Sequence, residues 1–204
     1  MNHQPRSNIA SADAVKAEQP RRGPHPQLEG IEQSRAWPTT ITPDLAAMVT
    51  TARSFYLGTA SAAGQPYIQH RGGPPGFLKI LDERTLGFAD LTGNRQYITA
   101  GNLAENPRAF IFLMDYARRR RVKLWGTAQI VEDDADLLAR TCPPGPNAKA
   151  ERVILFTIET WDRNGPRHIP QLVPIEAAES ALRQLRERIT ELEAELKLRS
   201  EPNR

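Results

Sequence analysis

Between Ser54 and Trp161 the hydrophobic residues gather into short β-type runs: "SFYLGTAS", "PYIQHR", "FLKIL", "LGFAD", "AFIFLMD", "RVKLWGTAQIVE" and "RVILFTIETW". Turn signals separate them, including Ala63-Gly64, "GGPPG", "DERT" and "TGN". Two helical segments interrupt the series: one from Gln96 to Asn106, leading into a strand from Arg108, and "DDADLLAR", with Asp133 or Asp134 at its cap. A third helix precedes it in "TITPDLAAMVTTA". There Thr42 can cap, Pro43 suits the first helical position, and Leu45, Met48, Val49 and Ala52 share a face. Many short strands with brief helical insertions predict a mainly β fold, a small barrel with peripheral helices, over a parallel α/β sheet.

The flanks read differently. Residues 1–36 are rich in Pro, Gln, Ser, Ala and charge, with too few large apolar side chains to offset ordering, and read as a disordered tail. After Pro174 the pattern turns helical: Leu182, Leu185, Ile189, Leu192 and Leu196 follow 3,4 spacing, and Glu193 and Lys197 form a favourable i,i+4 pair. That segment reads either as an amphipathic helix lying on its own barrel or as a short two-stranded coiled coil. The expected organisation is a tail over 1–36, a barrel domain over 37–174 and a C-terminal helix over 175–204.

Composition adds exclusions. With 204 residues and 39% hydrophobic content, the chain suits one domain plus polar appendages. A net charge of +3, mixed along the chain, does not by itself point to nucleic acid; the local exception is "RRRR" at Arg118 to Arg121, which no aromatic stacking pattern accompanies. The single Cys142 cannot form an internal disulfide, no stretch approaches the roughly 18 apolar residues of a membrane helix, and no signal peptide is visible. A soluble cytoplasmic protein is expected.

Candidate chemistry centres on "TGNRQYITAGNLAENPRAFIFLM". A helix start leaves backbone N–H groups unpaired and carries positive partial charge, so Arg95 beside it, with Gly93 and Asn94 allowing close approach, suits a phosphate; a solvated turn arginine is the plainer alternative. Arg71 and Lys79 stand near the ends of two consecutive runs and would face one anion if those strands paired. Arg121 and Lys123 share one face of a strand, opposite Val122 and Leu124. Trp161 can cover a flat ring at a strand end, and Arg167 and His168 follow it. The four histidines form no metal-ligand cluster, and neither a nucleophile motif nor a P-loop is present. Any redox chemistry would therefore belong to a bound cofactor.

Together "LGFADLTGNRQYITAGNLAENPRAFIFLM", "GQPYIQHRGGPPGFLKI" and "RRVKLWGTAQIVED" resemble the pyridoxamine 5′-phosphate oxidase superfamily, the flavin-binding split barrels, over roughly Pro38 to Pro170. The resemblance implies a homodimer of six-stranded split barrels, each binding FMN in a groove at the subunit interface. It implies that Arg95 and Gln96, with Asn94, hold the FMN phosphate, helped by Arg71 and Lys79. Phe77, Leu78, Ala89 and Asp90 would flank the flavin or its ribityl chain, mostly through backbone contacts; Arg121 would reach it from the partner, Trp161 would lie near it, and Arg167 would contact substrate.

The chain departs from the true oxidase in "RHIPQL", which lacks the oxidase's second arginine. The expectation is therefore an FMN-dependent oxidoreductase acting on a small molecule other than pyridoxamine phosphate, with His168 as the candidate proton donor. Deazaflavin or haem are the alternative cofactors. The competing expectation is a non-catalytic flavin- or haem-binding module that stores or senses its ligand and signals through the C-terminal helix.

Overall fold

The computed structural model describes residues 37–93, 95–143 and 150–200, with residues 151, 198 and 200 as backbone alone. The tail expected over 1–36 lies outside these residues. The chain runs α1 (Pro43–Thr51), β1 (Ser54–Ala60), β2 (Pro66–Gly72), β3 (Lys79–Ile80), β4 (Thr85–Leu91), α2 (Ile98–Glu105), β5 (Arg108–Asp115), β6 (Arg120–Val131), α3 (Ala135–Thr141), β7 (Ala150–Asn164) and α4 (Ile175–Ser200). The strands form one antiparallel sheet in the order β2-β1-β5-β6-β7-β4-β3.

The sheet curls into a half-barrel around the apolar face that β1, β4, β5, β6 and β7 present to the interior. Phe55 and Leu57 of β1, Ile111 and Leu113 of β5, Val122 and Leu124 of β6, and Ile154, Phe156 and Ile158 of β7 are all buried in one core. The helix expected before β1 is α1: the Thr42 hydroxyl accepts from the Leu45 amide at 3.4 Å, Pro43 opens the helix, and Leu45, Met48 and Val49 are buried against the core. Asp134 proves to be the cap of α3, accepting from the Leu137 amide at 2.8 Å.

Two expectations need correction. The sheet has six full strands and a seventh of two residues, since "FLKIL" contributes only Lys79–Ile80. Phe77 and Leu78 instead turn into the core, 6% and 1% exposed, with Phe77 stacked on Phe55 at 5.7 Å. Nor do β2 and β3 pair. The Gly-Gly-Pro-Pro-Gly segment is not a tight hairpin; it carries the chain from one edge of the sheet to the other, where β3 joins β4.

A smaller device fixes the β3–β4 turn. Asp82 accepts from the amides of Arg84 and Thr85, both at 2.7 Å, and the Arg84 amide bond is the main reason its carboxyl titrates below its ordinary value. Asp82→Ala should cost about 1 kcal/mol at neutral pH, measured by urea titration. Because folding lowers this pKa, the contribution is complete above the ordinary value of 3.8 and is lost as pH falls through the lower folded value. The difference between wild type and Asp82→Ala should therefore narrow below pH 3.8.

Among the described residues no helix is long and apolar enough to cross a membrane. The C-terminal helix α4 stands largely clear of the barrel: Glu176 in its first turn meets Arg53 at 3.5 Å, and its later leucines remain exposed.

Candidate functional site

The apolar interior of the half-barrel ends in charge. On β4 the inward file Leu86, Phe88 finishes at Asp90; on β7 the file Ile158, Phe156, Ile154 finishes at Arg152, directly opposite Asp90 in the ladder. Across the seam, Tyr67, Gln69 and Arg71 of β2 point toward the same place. Arg71 Nη1 donates to Asp90 Oδ1 at 2.5 Å and Arg152 Nε donates to Oδ2 at 2.9 Å, so one carboxylate holds two guanidinium groups and ties β2, at one edge of the sheet, to β4 near the other. All three side chains are only 12–13% exposed.

Arg152 has further contacts. It reaches Glu132 at 3.3 Å and lies over the Tyr97 ring at 5.1 Å. Burial works against its charge, but the hydrogen bonds and charges of Asp90 and Glu132 outweigh that and raise its pKa above an already high ordinary value. The Nε of Arg71 is buried without a hydrogen-bond acceptor among the described residues.

The lead-in to α2 closes the cleft. Three polar side chains pin this helix: Thr99 donates to Gln69 Oε1 at 2.8 Å, Asn102 Nδ2 to Thr59 at 3.0 Å, and Asn106 Nδ2 to the Ala60 carbonyl at 3.2 Å. They recur at helical spacing, so one polar face docks on β1 and β2 with its groups satisfied. Ahead of the helix, Arg95 and Tyr97 adopt φ of 57° and 52°, left-handed values that are uncommon for non-glycine residues and cluster at functional sites. The helix consequently begins at Ile98, two residues later than the sequence pattern predicts, and Gln96 lies in the lead-in. Arg95 is exposed at the cleft's edge, so Arg71, Arg95 and Arg152 face Asp90 and the rim carboxylate Glu132. The cleft therefore carries excess positive charge and suits an anion.

Of the expected site residues, the fold gathers Arg71, Asp90, Arg95 and Gln96 around this cleft. Asn94 lies outside the described residues. Asp90 contributes its side chain, not only its backbone. Lys79 and Ala89 do not line the cleft, and neither do the exposed Arg167 and His168 on the segment after β7. Phe77 and Leu78 are core residues. Trp161 is also corrected: it is 7% exposed, and its indole N–H donates to the Thr40 carbonyl at 2.9 Å, so it anchors the lead-in to α1 and has no open face for a flavin ring within this chain. Arg152 was missed by sequence reasoning, because as the opening residue of a run its only distinguishing feature is a partner 62 positions away.

The arginine run is mostly occupied. Arg118 pairs with Asp115 at 3.2 Å, Arg119 donates to the carbonyls of Ile169 and Pro166, and Arg120 pairs with Asp44 at 3.2 Å. Arg121 differs: it lies on the outer face of β6 as expected, opposite Asn164, and its Nε and the Oδ1 of Asn164 are buried without partners among the described residues.

Comparison with known proteins fits this architecture. The sequence model of the family described as pyridoxamine 5′-phosphate oxidase matches residues 41–187. The solved structure of HupZ from Group A Streptococcus is 18% identical, with 65% of this chain and 99% of that chain covered and a TM-score of 0.50. A variant of the same protein gives 19% identity, 61% and 99% coverage, and a TM-score of 0.50. A candidate pyridoxamine 5′-phosphate oxidase from Lactobacillus delbrueckii is 23% identical, with 61% and 95% covered and a TM-score of 0.47. Among curated proteins none matches the sequence.

Proposed function

Because the chain belongs to the pyridoxamine 5′-phosphate oxidase family, we propose that it binds FMN with the phosphate in the cleft before α2 and works as an oxidoreductase on a small molecule. One observation carries this reading: Arg71, Arg95 and Arg152 converge on a cleft whose inner carboxylate, Asp90, is already shared by two of them. The donor set fits a phosphate dianion. Arg95 is exposed at the helix lead-in, Gln96 stands beside it, and Arg71 keeps a buried N–H without an acceptor among the described residues.

When bound, the flavin would supply hydride or electron transfer. The chain's own residues would hold and orient it: Asp90 fixes Arg71 and Arg152 before the anion arrives, which lowers the ordering cost of binding. Two copies would complete the groove. The buried Arg121 Nε on the outer face of β6 lacks an acceptor within the described residues and suits a group brought by a partner.

A second reading is favoured by a specific feature. The cleft's carboxylate is locked between two arginines and His168 lies elsewhere, so neither is placed to serve as a proton donor at the site. A non-catalytic flavin- or haem-binding module would need none. Turnover of reduced flavin with an acceptor separates the two readings.

The phosphate assignment is tested with Arg95→Ala. Losing one charge-assisted bond should raise the Kd for FMN about 30-fold, or about 2 kcal/mol, in a flavin fluorescence titration. An unchanged Kd would remove Arg95 from the site.

A further inference from the structure

Helix α4 carries a seam that the barrel leaves uncovered. Ile175, Leu182, Leu185, Ile189, Leu192 and Leu196 are 41–68% exposed over one 26-residue helix. Their spacing is a heptad repeat: Ile175, Leu182, Ile189 and Leu196 take the first core position, and Ala178, Leu185 and Leu192 the second. Most helical stability in proteins comes from packing an apolar face, and within the chain this face is left exposed.

We infer that the seam is covered by α4 of a second copy of this chain, as a parallel, in-register two-stranded coiled coil. The core composition admits two strands: at Ile189 and Leu192 it has Ile at the first position with Leu at the second, the combination that favours dimers. Charge argues for a copy of itself in this orientation. In parallel register, Arg188, just before the core Ile189, faces Glu193 of the other helix, just after the core Leu192, and symmetry makes this pair twice. An antiparallel pairing with full overlap would instead set Arg186 against Arg186, Arg188 against Arg188, and Glu179 against Glu193. Sliding that arrangement by one heptad in either direction restores opposite charges, but leaves Ile175 or Leu196 beyond the end of the partner's seam. Only the parallel form covers the whole stripe without like-charge contacts at these flanks.

The coil is independent of the cofactor reading, because none of its residues lines the cleft. It gives the chain a self-association element separate from the barrel.

The test uses the full chain in a Cys142→Ser background with one new cysteine. Leu192→Cys places a thiol in the seam, where the parallel in-register form sets it against its own copy. Ala194→Cys places it two residues on, on the side away from the seam, as a control. Under diamide the Leu192→Cys protein should convert mostly to a covalent dimer and Ala194→Cys should not. Equal cross-linking of the two, or none at Leu192→Cys, overturns the proposal. As a second measure, Ile189→Glu should lower helical ellipticity while the barrel's near-UV signal is retained. Unchanged ellipticity would equally reject it.

Discussion

Asp90→Ala should destabilise the folded chain by about 3 kcal/mol in a urea titration, among the largest losses expected from a single polar substitution here. The reason is the asymmetry between making and breaking a buried ion pair. With the carboxylate present, two guanidinium groups that are 13% exposed are each paired with it, at 2.5 and 2.9 Å. Without it, two like charges remain close together in a cleft of reduced dielectric. The estimate sits at the low end of the range for a broken buried pair because Arg152 keeps Glu132 at 3.3 Å. The loss would also open the seam, since Arg71 to Asp90 is the bond joining β2 to β4 across the curl of the sheet. Asp90→Asn should cost less, because it retains an acceptor while giving up the charge. Equal stability of Asp90→Ala and wild type would mean that the triad contributes nothing to closing the half-barrel.

Gly126→Ala should be at least as damaging, at about 3 kcal/mol or more. A Cβ there would lie 2.0 Å from the Thr157 carbonyl oxygen and 3.0 Å from the tip of the Phe156 ring. The obstruction is backbone, and both strands are central, so neither can give way. The ladder explains the crowding: Trp125 pairs with Thr160 but Gly126 pairs with Ile158, so Glu159 is an extra residue on β7 and the two backbones close up at this bulge. Gly101→Ala supplies the contrast. That glycine is exposed inside α2 with nothing within 4 Å of the added carbon, so the substitution should stabilise by about 0.5–1 kcal/mol through helix propensity alone. Thermal melts of the two variants should move in opposite directions.

How much of this was legible in the sequence depends on the range of the interaction. The strands were, because inside–outside alternation is written in neighbouring residues: Val122 and Leu124 are buried while Arg121 and Lys123 lie on the outer face. So were the cap Thr42 and, as one of the pair Asp133 or Asp134, the cap Asp134, whose partners are three residues away. The phosphate-binding reading of Arg95 drew on local sequence, and Arg95 stands at the edge of the cleft ahead of α2. What failed was non-local. Adjacency leaves the pairing of β2 with β3 as a condition, and they occupy opposite ends of the sheet. The Arg71–Asp90–Arg152 triad joins positions separated by 19 and 62 residues, and it exists only after the sheet has curled. Trp161 illustrates the same limit: its indole partner, Thr40, is 121 residues earlier. The start of α2 was misplaced for a different reason, since nothing local distinguishes an arginine and a tyrosine that will be held at positive φ.

Family membership places the chain among the relatives of pyridoxamine 5′-phosphate oxidase, while the reading proposed for its cleft is narrower, an anion held among three arginines. The decisive measurement separates the two by comparing the affinities of the purified protein for FMN and for riboflavin, which differ by the phosphate alone. Equilibrium titration of flavin fluorescence should give a Kd for FMN at least about 100-fold lower than for riboflavin, as expected when several charge-assisted bonds are made to one group. Equal affinities, or no binding of either, would contradict a phosphate-anchored flavin in this cleft.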